Sequence, residues 1–365
     1  MYLQESLGQC IYCQISVENH RRTMDRNEVV FRFDTYVEEL LNLSIVKEWR
    51  FRPLKLKDKS RYDKYITETK FPVDIWSSNF AYLWAHTRIP ERLFILSSEV
   101  DNMLATWMLS AYGRLYLPCL PVGPGSPQQV ISVLERCDQF CSEWNKKSGN
   151  VGRPVIAKLS SNQLEYFQQF KEFNSLFDAK LLSGIERHLS ITSLTTLSGK
   201  KFSTIRYKLN KFQREYPDAQ VRQYQHGDLD AVIHLGQQWN ETSGTKHRRI
   251  LDDFYFKPTI KNHQALGLEN LVVELDGRII GMTTGGSLPN GQAWGFLTKF
   301  DNSFEGISEY MVVSLAKRIR NIDPKIELIN VGTDFGNEKI AMAKEKFRPV
   351  KAYKRYALNS HRSSL

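Results

Sequence analysis

The sequence predicts an α+β protein with two domains, each built from a sheet with flanking helices. Three observations support this prediction. The chain has 365 residues, more than the roughly 250–300 at which a single core stops growing. A hydrophobic fraction of 41% and 7 tryptophans are sufficient for two cores. Short apolar strands alternate along the chain with amphipathic helices, as is typical of sheets covered by helices.

Charge and cysteine content narrow the class of partner and the compartment. A net charge of +10 and a pI near 9.2 favour a polyanionic partner: nucleic acid, an acidic membrane surface or a phosphate-rich cofactor. The 5 cysteines come without a signal peptide and without paired metal-ligand spacing, so we expect reduced structural thiols and no metal. No apolar run approaches the ~20 residues of a membrane span. We therefore expect a cytoplasmic protein whose membrane contact is at most peripheral.

The first part of the chain reads as an extension followed by a domain. Residues 1–48 end in an amphipathic helix with apolar residues at helical spacing: Phe33, Tyr36, Val37, Leu40 and Leu41. The first domain is predicted at residues 49–190. Its elements are a strand and helix within 51–66, an aromatic segment at 74–84, strands at 92–96, 114–118 and 155–159, and helices at 128–145 and 166–177. A break is predicted near residues 183–196.

The second domain is predicted at residues 191–358, before a tail at 359–365. In order, its elements are a basic helix at 202–212, a strand at 219–224, a helix at 228–239, a hairpin at 271–286, a strand at 292–299, a helix at 304–319, a strand at 326–331, a helix from 337 and a strand at 350–358. Residues 200–214 carry six basic residues and no acid. This segment is either a solvated helix face or a phosphate-binding face.

Residues 326–349 form the most informative junction, a strand followed by a polar loop and a basic helix that Pro349 ends. Such a junction places the N–H groups of a first helical turn, and the carboxylate of Asp334, at the carboxyl end of a strand. Ligands often bind there in open sheets. The alternative is that Asp334 only caps the helix. From these residues alone both interpretations stay open.

The order of elements in the second half resembles the GCN5-related N-acetyltransferase fold. In that fold two parallel strands splay apart around the donor, and the helix after the first of them cradles the donor's phosphates. The cradle normally has Arg or Gln, two residues, Gly, one residue, then Gly or Ala. Residues 303–308 retain only the central Gly306, and Glu305 would point an anion toward a pyrophosphate. This departs from the pattern of coenzyme A donors.

Two groups of residues resemble a narrower family. The first is Leu197, Gly199, Lys200, Lys201, Phe202, Arg206, Asn210 and Phe212, and the second is Asn330, Asp334, Gly336, Lys344 and Pro349. Their spacing is similar to the opening and closing signatures of the phosphatidylglycerol lysyltransferase C-terminal domain. The resemblance covers roughly residues 49–357 and implies two tandem acetyltransferase-like domains. Tyr207 and Ala341 depart from the family pattern.

The resemblance implies that an aminoacyl group passes from aminoacyl-tRNA to a hydroxyl or amine of a small-molecule or lipid acceptor, without a cofactor. The ester is already activated, so transfer needs positioning, a proton acceptor and positive charge near the oxyanion. Asp334 either accepts the proton or holds the donor's α-ammonium, and Lys344 and Arg206 supply the positive charge. We expect substrate contacts from Asn330, Gly336, Asn210, Gly306 and Trp239, and tRNA contacts from Lys200, Lys201, Lys208 and Lys211.

Two other function classes remain open at the level of sequence. An acyl-CoA-dependent N-acyltransferase would share the fold but requires the phosphate cradle from which residues 303–308 depart. A non-catalytic tRNA- or membrane-binding module would also share it, although it would not need Asn330, Asp334 and Lys344 together. Discharge of aminoacyl-tRNA separates these classes from the leading hypothesis.

Overall fold

The computed structural model describes residues 36–38, 40, 49–88, 93–152, 154–242, 244 and 252–361. Most of the predicted extension, including Phe33 and Leu41, lies outside these residues. The chain divides into two units. The first holds the described residues up to Glu186 together with Thr333–Glu338 and the chain from Tyr353, and the second holds Arg187–Gly332 and Lys339–Ala352. This division follows spatial proximity, so the domain boundary between residues 190 and 191 stays a prediction.

The first unit contains a four-stranded antiparallel sheet. Its strands are β1 (Arg52–Pro53), β2 (Leu93–Val100), β3 (Met103–Ser110) and β4 (Leu115–Tyr116), in that order. Asp101 and Asn102, with φ values of 48° and 60°, form the two-residue turn between β2 and β3. A turn with two positive φ values matches the twist of the strands that it joins. Strand β3 was not predicted from the sequence, although the Asp-Asn pair was a signal for this hairpin.

The first unit also contains the helices α1 (Lys59–Glu68), α2 (Phe80–His86), α3 (Pro127–Lys147), α4 (Ser161–Gln168) and α5 (Lys171–Leu176). The predicted helix at 166–177 is thus two shorter helices. Ser126 and Gln129 begin α3 with reciprocal side-chain-to-backbone hydrogen bonds. Trp49, Phe51, Trp107 and Phe140 form an aromatic core, with ring centroids 5.0 Å apart for Trp49 and Trp107.

The thiols of the first unit are buried in its core. Cys119, Cys137 and Cys141 are free cysteines with no disulfide. Burial raises the pKa of Cys119 to about 11 and also raises the pKa of Cys137 and of Cys141. A thiol that stays protonated is a weak nucleophile and a weak metal ligand.

Three strands contribute residues to both units. These are β6 (Phe177–Ser190), β11 (Leu328–Thr333) and β12 (Lys351–Ser360). In the first unit β12 pairs antiparallel with β5 (Ile156–Ser160), with Arg355 opposite Ser160. The break predicted at 183–196 includes the point, between Glu186 and Arg187, where the chain passes from the first unit to the second. No loop lies there, because β6 continues through Ser190 and leads directly into α6 (Ile191–Thr196). The Ser and Thr residues there cap the helix, since Ser190 Oγ accepts a hydrogen bond from the Ser193 amide.

The elements predicted between residues 202 and 345 are present in the predicted order, and the structure adds two helices that were not predicted, α6 and α9. After α6 come α7 (Ser203–Glu215), β7 (Gln220–Gln223), α8 (Leu229–Thr242), α9 (Asp253–Lys261), β8 (Leu268–Leu275), β9 (Arg278–Ser287), β10 (Ala293–Phe300), α10 (Ile307–Ile322), β11 and α11 (Glu338–Glu345). Its strands lie in the order β11-β10-β9-β8-β7. The pairs are antiparallel except β10 with β11, which is parallel.

The two faces of this sheet are covered by different helices. Leu271 and Val273 of β8 pack with residues of α7 and α10, including Ile205, Val313 and Met311, and this side is called the α10 face. Alternate residues point the other way. On that side Lys299 of β10 lies near Phe256, and Phe296 stacks on Tyr255, so it is called the α9 face.

The predicted α+β class, with mixed twisted sheets and flanking helices in tandem acetyltransferase-like domains, is confirmed. Within the described ranges, no helix combines the length and apolar character needed to cross a bilayer.

Candidate functional site

Asp334 lies in a loop of the first unit and is 4% exposed. Its Oδ1 accepts hydrogen bonds from the amides of Ile185, at 3.1 Å, and Gly336, at 2.9 Å. The Asp334 amide donates in turn to the Ile185 carbonyl. Asp334 therefore joins its loop to β6, which is a more extensive role than capping α11.

Gly184 and Gly336 allow this close contact between the loop and β6. Both have positive φ, 86° and 76°. A Cβ on Gly336 would lie 2.2 Å from Ser183 Oγ, and one on Gly184 would lie 2.6 Å from the Phe335 amide nitrogen. A side chain at Gly184 would meet the backbone of Phe335, and one at Gly336 would displace the Ser183 hydroxyl and be strained by the positive φ. The predicted substrate-binding role of Gly336 is untested, and its contacts explain its identity structurally.

Asn330 and Lys344 belong to the second unit and fix the end of β11. Asn330 is 3% exposed and its Oδ1 accepts from the Gly332 amide at 2.7 Å, turning the chain out of the strand. Lys344 Nζ donates to the Val331 carbonyl at 2.6 Å and so ties α11 to β11. The closing signature is therefore divided, with Asp334 in the first unit and Asn330 and Lys344 in the second.

Arg206 organises the loop before α7. Its Nη1 donates to the carbonyls of Leu197 and Gly199, the latter at 2.8 Å. Both loop residues have positive φ, so the guanidinium stabilises a turn that is otherwise unfavourable. Asn210 lies further along α7 with an exposed side chain. The predicted roles of Arg206 in catalysis and of Asn210 in substrate binding stay predictions.

The start of α10 is where the related fold cradles donor phosphates, and here α7 packs directly against it. Gly306 caps α10 with φ 90°, and a Cβ there would lie 2.6 Å from the Lys208 carbonyl oxygen. Lys208 Nζ lies 3.3 Å from Glu309, and Lys211 Nζ lies 2.5 Å from Glu305. Gly306 thus admits a neighbouring helix, and two carboxylates occupy the surroundings of the first turn.

Ion pairs with lysine keep both carboxylates ionised. Glu309 is 3% exposed and also accepts from Lys346 Nζ at 2.9 Å. Burial alone would raise the pKa of Glu309, but the ammonium groups of Lys346 and Lys208 hold it below its usual range. The hydrogen bond from Lys211 likewise lowers the pKa of Glu305. Both groups are anions at neutral pH and oppose the approach of a pyrophosphate.

The predicted tRNA-binding lysines fall into two classes. Lys208 and Lys211 are engaged by Glu309 and Glu305, whereas Lys200 and Lys201 are exposed, with no ion pair to a carboxylate in the described part of the chain. Arg348 Nε donates to the Lys201 carbonyl at 3.1 Å, which places a third exposed cation beside them. We call Lys200, Lys201 and Arg348 the basic edge. Arg348 was not predicted as part of this surface because it is distant in the chain.

Trp239, a predicted substrate contact, lies against a buried lysine. Lys299 Nζ is 3.7 Å from the Trp239 ring centroid and 3.0 Å from Asp252 Oδ2. Lys299 is 1% exposed, and burial lowers its pKa even though Asp252 opposes the shift. This cluster was not predicted, because a single lysine in the strand AWGFLTKF gives no indication of burial.

Among the described residues, the parallel pairing of β10 with β11 lies near the start of both strands. The paired residues are Ala293 with Ile329 and Trp294 with Asn330, and β10 then continues through Phe300. The register of β10 with β9 also shifts between Gly295 and Thr298. A β-bulge therefore lies beside the parallel pair, at the position where the related fold splays its two parallel strands.

Comparison with known proteins identifies a matching family and similar folds. The family model described as "Phosphatidylglycerol lysyltransferase, C-terminal" matches residues 111–359. A search of curated proteins found no match.

Solved structures share the fold. A conserved protein of unknown function from Bacteroides thetaiotaomicron is 19% identical with a TM-score of 0.71, over 85% of this chain and 99% of its own. The C-terminal domain of a putative lysylphosphatidylglycerol synthetase from Agrobacterium fabrum is 17% identical with a TM-score of 0.54, over 84% and 94%. FemX is 9% identical with a TM-score of 0.56, over 83% and 96%.

Proposed function

The chain belongs to the phosphatidylglycerol lysyltransferase C-terminal family, and we propose that it transfers an aminoacyl group from aminoacyl-tRNA to a hydroxyl or amine of a small-molecule or lipid acceptor. The family is one of transferases and supports aminoacyl transfer as the reaction class. The donor and the acceptor class are the proposed parts.

One observation carries the choice of donor. Coenzyme A would need the amides at the start of α10 for its pyrophosphate. The Lys208 carbonyl approaches Gly306 too closely for even a methyl group, and Glu305 and Glu309 add negative charge there. An aminoacyl ester carries no pyrophosphate and does not need this position. The closed start of α10 therefore favours an aminoacyl-tRNA donor over an acyl-CoA donor.

The reaction balances without a cofactor. The acceptor oxygen or nitrogen forms a bond to the aminoacyl carbonyl carbon, and the bond from that carbon to the ribose oxygen of the tRNA breaks. The acceptor's proton ends on the departing ribose oxygen. Negative charge develops on the carbonyl oxygen in between, and Lys344 and Arg206 are the cations that we assign to its stabilisation. Both already donate to backbone carbonyls, which holds their positions.

Asp334 fits ammonium binding better than proton transfer. Its Oδ1 already accepts two backbone N–H groups, and such hydrogen bonds favour the ionised carboxylate over the protonated acid. The same two bonds fix the position of a negative charge. We therefore assign Asp334 to the α-ammonium of the donor, which orients the ester carbonyl toward the acceptor.

The basic edge supplies a surface for the tRNA. Lys200, Lys201 and Arg348 are exposed, and the contact of Arg348 with the Lys201 carbonyl keeps them together. Clustered exposed cations bind phosphates by releasing counterions, which makes binding sensitive to salt. Lys208 and Lys211 contribute less in this proposal, since each already faces a carboxylate.

The test of donor use is discharge of a radiolabelled aminoacyl-tRNA pool by the purified protein in the presence of a cell extract as acceptor. We expect label to leave the tRNA and appear in an acceptor, and RNase pretreatment to abolish the transfer. Added coenzyme A should have no effect. Failure to discharge any aminoacyl-tRNA would contradict the proposal and favour a non-catalytic module.

A conservative variant tests the role of Asp334. Asp334→Asn keeps an oxygen for the Ile185 and Gly336 amides but removes the charge. We expect the KM for aminoacyl-tRNA to rise about tenfold or more, as for loss of a charged hydrogen bond. Transfer at the wild-type rate and KM would show that Asp334 only joins its loop to β6.

A further inference from the structure

Three polar side chains form a row across the α9 face of the second unit. Tyr224 follows β7, and its amide donates to the Asn270 carbonyl on β8 at 3.0 Å. Asn270 lies opposite Thr284 on β9. Directly opposite residues of an antiparallel pair project their side chains to the same face, about 5 Å apart. Tyr224, Asn270 and Thr284 are called the polar row.

Helix α9 and the residues after it contact the α9 face on both sides of this row. At one end Tyr255 stacks on Phe296 of β10, with centroids 5.9 Å apart. Beyond the other end His263 meets the Tyr224 ring edge-on at 5.2 Å. Eight residues of helix span about 12 Å, and the three strand spacings from β10 to β7 span about 14 Å. Thr259 is halfway along the chain between Tyr255 and His263, so it lies between these two contacts on the α9 face.

The polar atoms of this region are buried and make no hydrogen bond within the described part of the chain. They are Tyr224 Oη, Asn270 Oδ1 and Nδ2, Thr284 Oγ1 and Thr259 Oγ1. Thr259 and Thr284 are 0% exposed, Asn270 is 4% exposed and Tyr224 is 9% exposed. A buried polar group without a partner costs about 1–3 kcal/mol. Five such atoms reduce the stability of the unbound protein, and a bound polar group that forms hydrogen bonds with them would remove this cost.

The surroundings set the charge of that group. The charged groups around the row include Asp228, whose charge acts on Tyr224 and which is paired with Arg222. They also include Lys299, on β10 opposite Met282 of β9, which is two residues before Thr284. Lys299 is already paired with Asp252. The row itself offers hydroxyl and carboxamide groups, which both donate and accept hydrogen bonds. An uncharged group that also donates and accepts fits this set, whereas an added ammonium would face Lys299.

The row also begins at the bulge of β10. Gly295 pairs with Gly285 and Thr298 pairs with Thr283, so two residues of β10 lie opposite one residue of β9. That one residue is Thr284, which therefore faces the bulge. The bulge adjoins the parallel pair of β10 and β11, where the donor ester is expected. A side chain that extends from that ester toward the row would pass the bulge and end on the α9 face.

We propose that the polar row binds the uncharged, hydrogen-bonding side chain of the transferred amino acid, a carboxamide or hydroxyl such as that of asparagine, glutamine, serine or threonine. This inference rests on the proposed aminoacyl transfer. It identifies the donor's amino acid by class and excludes lysyl and arginyl donors.

Binding of amino-acid amides tests the pocket without tRNA. The amides keep the α-ammonium and side chain and lack a carboxylate. The full chain is heated with millimolar asparagine, glutamine, serine, threonine, leucine or lysine amide, and its Tm is measured. We expect the polar uncharged amides to raise the Tm and the leucine and lysine amides to leave it unchanged.

Near-isosteric variants separate ligand binding from ordered water. Asn270→Leu and Thr284→Val remove the polar atoms while keeping the volume. We expect each to bind the preferred amide about tenfold more weakly, with its own Tm unchanged or higher. Thr283→Val is the matched control, since Thr283 neighbours Thr284 but points to the α10 face and bonds Thr298 Oγ1 at 3.1 Å. It should bind the amide as the wild type does.

The outcomes are distinct. No stabilisation by any amide, equal stabilisation by all six, or wild-type binding by both row variants would overturn the pocket and leave ordered water as its content. The discharge assay is read separately. Selective amide binding without discharge of any aminoacyl-tRNA would refute the proposed transfer while retaining the pocket. Discharge of all aminoacyl-tRNAs at similar rates, unchanged in the row variants, would refute the pocket and retain the transfer.

Discussion

The start of α10 and the polar row are two buried polar regions of the same unit that differ in how their groups are satisfied. At the start of α10, Glu309 is enclosed by Lys346 and Lys208, and Gly306 lies against a backbone carbonyl. In the polar row, Asn270 and Thr284 are equally buried but find no partner within the described chain. The first region is completed by the protein's own side chains, and the second needs something else to complete it.

In the related fold a ligand would be expected at the start of α10 and apolar packing on the α9 face, and this chain shows the opposite distribution of polar groups that lack partners. The phosphate cradle of the related acetyltransferases lies at the start of the helix that corresponds to α10, yet here that position is a packed helix contact. The α9 face, where a sheet normally buries apolar side chains, instead carries amide and hydroxyl groups. Burial therefore says little about function until the hydrogen bonds and ion pairs of each buried polar atom are known.

The largest loss of stability is expected from adding a methyl group at Gly306, where α7 packs against the start of α10. Gly306→Ala places a methyl group against the Lys208 carbonyl at a φ of 90°, and we expect a loss of about 3 kcal/mol in the free energy of unfolding. Gly291→Ala is the control, with φ 80° and open space around its Cβ, and should cost about 1 kcal/mol. Urea denaturation measures both. Equal losses would mean that α7 does not press on Gly306.

A smaller loss is expected when the ion pairs at the start of α10 are broken. Glu309→Gln leaves two ammonium groups facing a neutral amide, and we expect a cost of about 1–2 kcal/mol. The value is below that of a fully buried pair because the Lys208 and Lys346 side chains are 35% and 32% exposed. Glu305→Gln, at a 52% exposed side chain, should leave the urea midpoint unchanged. An equal loss in both variants would contradict the burial argument.

The same variant carries a pH dependence with a defined sign. The folded pKa of Glu309 lies below its usual 4.5, so between the two values the unfolded state binds more protons. The stability from Glu309 is therefore complete above pH 4.5 and is lost as pH falls through the folded pKa. We expect the difference between wild type and Glu309→Gln to shrink below pH 4.5 in urea titrations. A difference that grows on acidification would contradict the pairing.

Removing polar atoms from the polar row is expected to keep or raise the stability of the protein rather than lower it. The double change Asn270→Leu with Thr284→Val removes three polar atoms that lack partners, so we expect stability within about 1 kcal/mol of wild type, on the higher side. Thr283→Val breaks a hydrogen bond to Thr298 and should reduce stability by about 1 kcal/mol. Thermal unfolding without ligand gives both values. A large loss in the double variant would show that the row is already satisfied.

The smallest effect on stability, with a distinct effect on binding, is expected at the basic edge. Replacing Lys200, Lys201 and Arg348 by alanine should weaken tRNA binding and lower the slope of log K against log salt by about one for each phosphate that is no longer neutralised. Replacing Lys208 and Lys211 should change that slope less, since they face Glu309 and Glu305. Filter binding over a salt series compares the two sets. Equal slopes would restore the four-lysine hypothesis.

Parts of the structure were accessible from the sequence because they depend on local signals. Asp276-Gly277 predicts the β8–β9 hairpin, and the two residues have φ values of 50° and 73°. The glycine before α10 and the Asp-x-Gly after β11 were also located correctly. The roles of the glycines were not accessible, since Gly306 and Gly336 are required by contacts with residues far away in the chain.

The polar row and the Lys299 cluster depend on strand pairing, which a single sequence does not specify. Tyr224, Asn270 and Thr284 become neighbours only through the registers of β7 with β8 and β8 with β9. Each alone reads as a polar residue at a strand end. Lys299 reads as an exposed lysine until α8 and α9 are placed over it. Strand pairing between distant parts of the chain therefore decides which of these polar residues are neighbours and which are buried.

The central claim is that the closed start of α10 makes this chain a user of aminoacyl-tRNA. A double-label assay tests it most directly, with ¹⁴C-aminoacyl-tRNA and ³H-acetyl-coenzyme A offered together to the purified protein and an acceptor extract. We predict RNase-sensitive transfer of ¹⁴C and no transfer of ³H. Transfer of ³H, with ¹⁴C retained on the tRNA, would contradict the claim and identify an acyl-CoA-dependent acyltransferase.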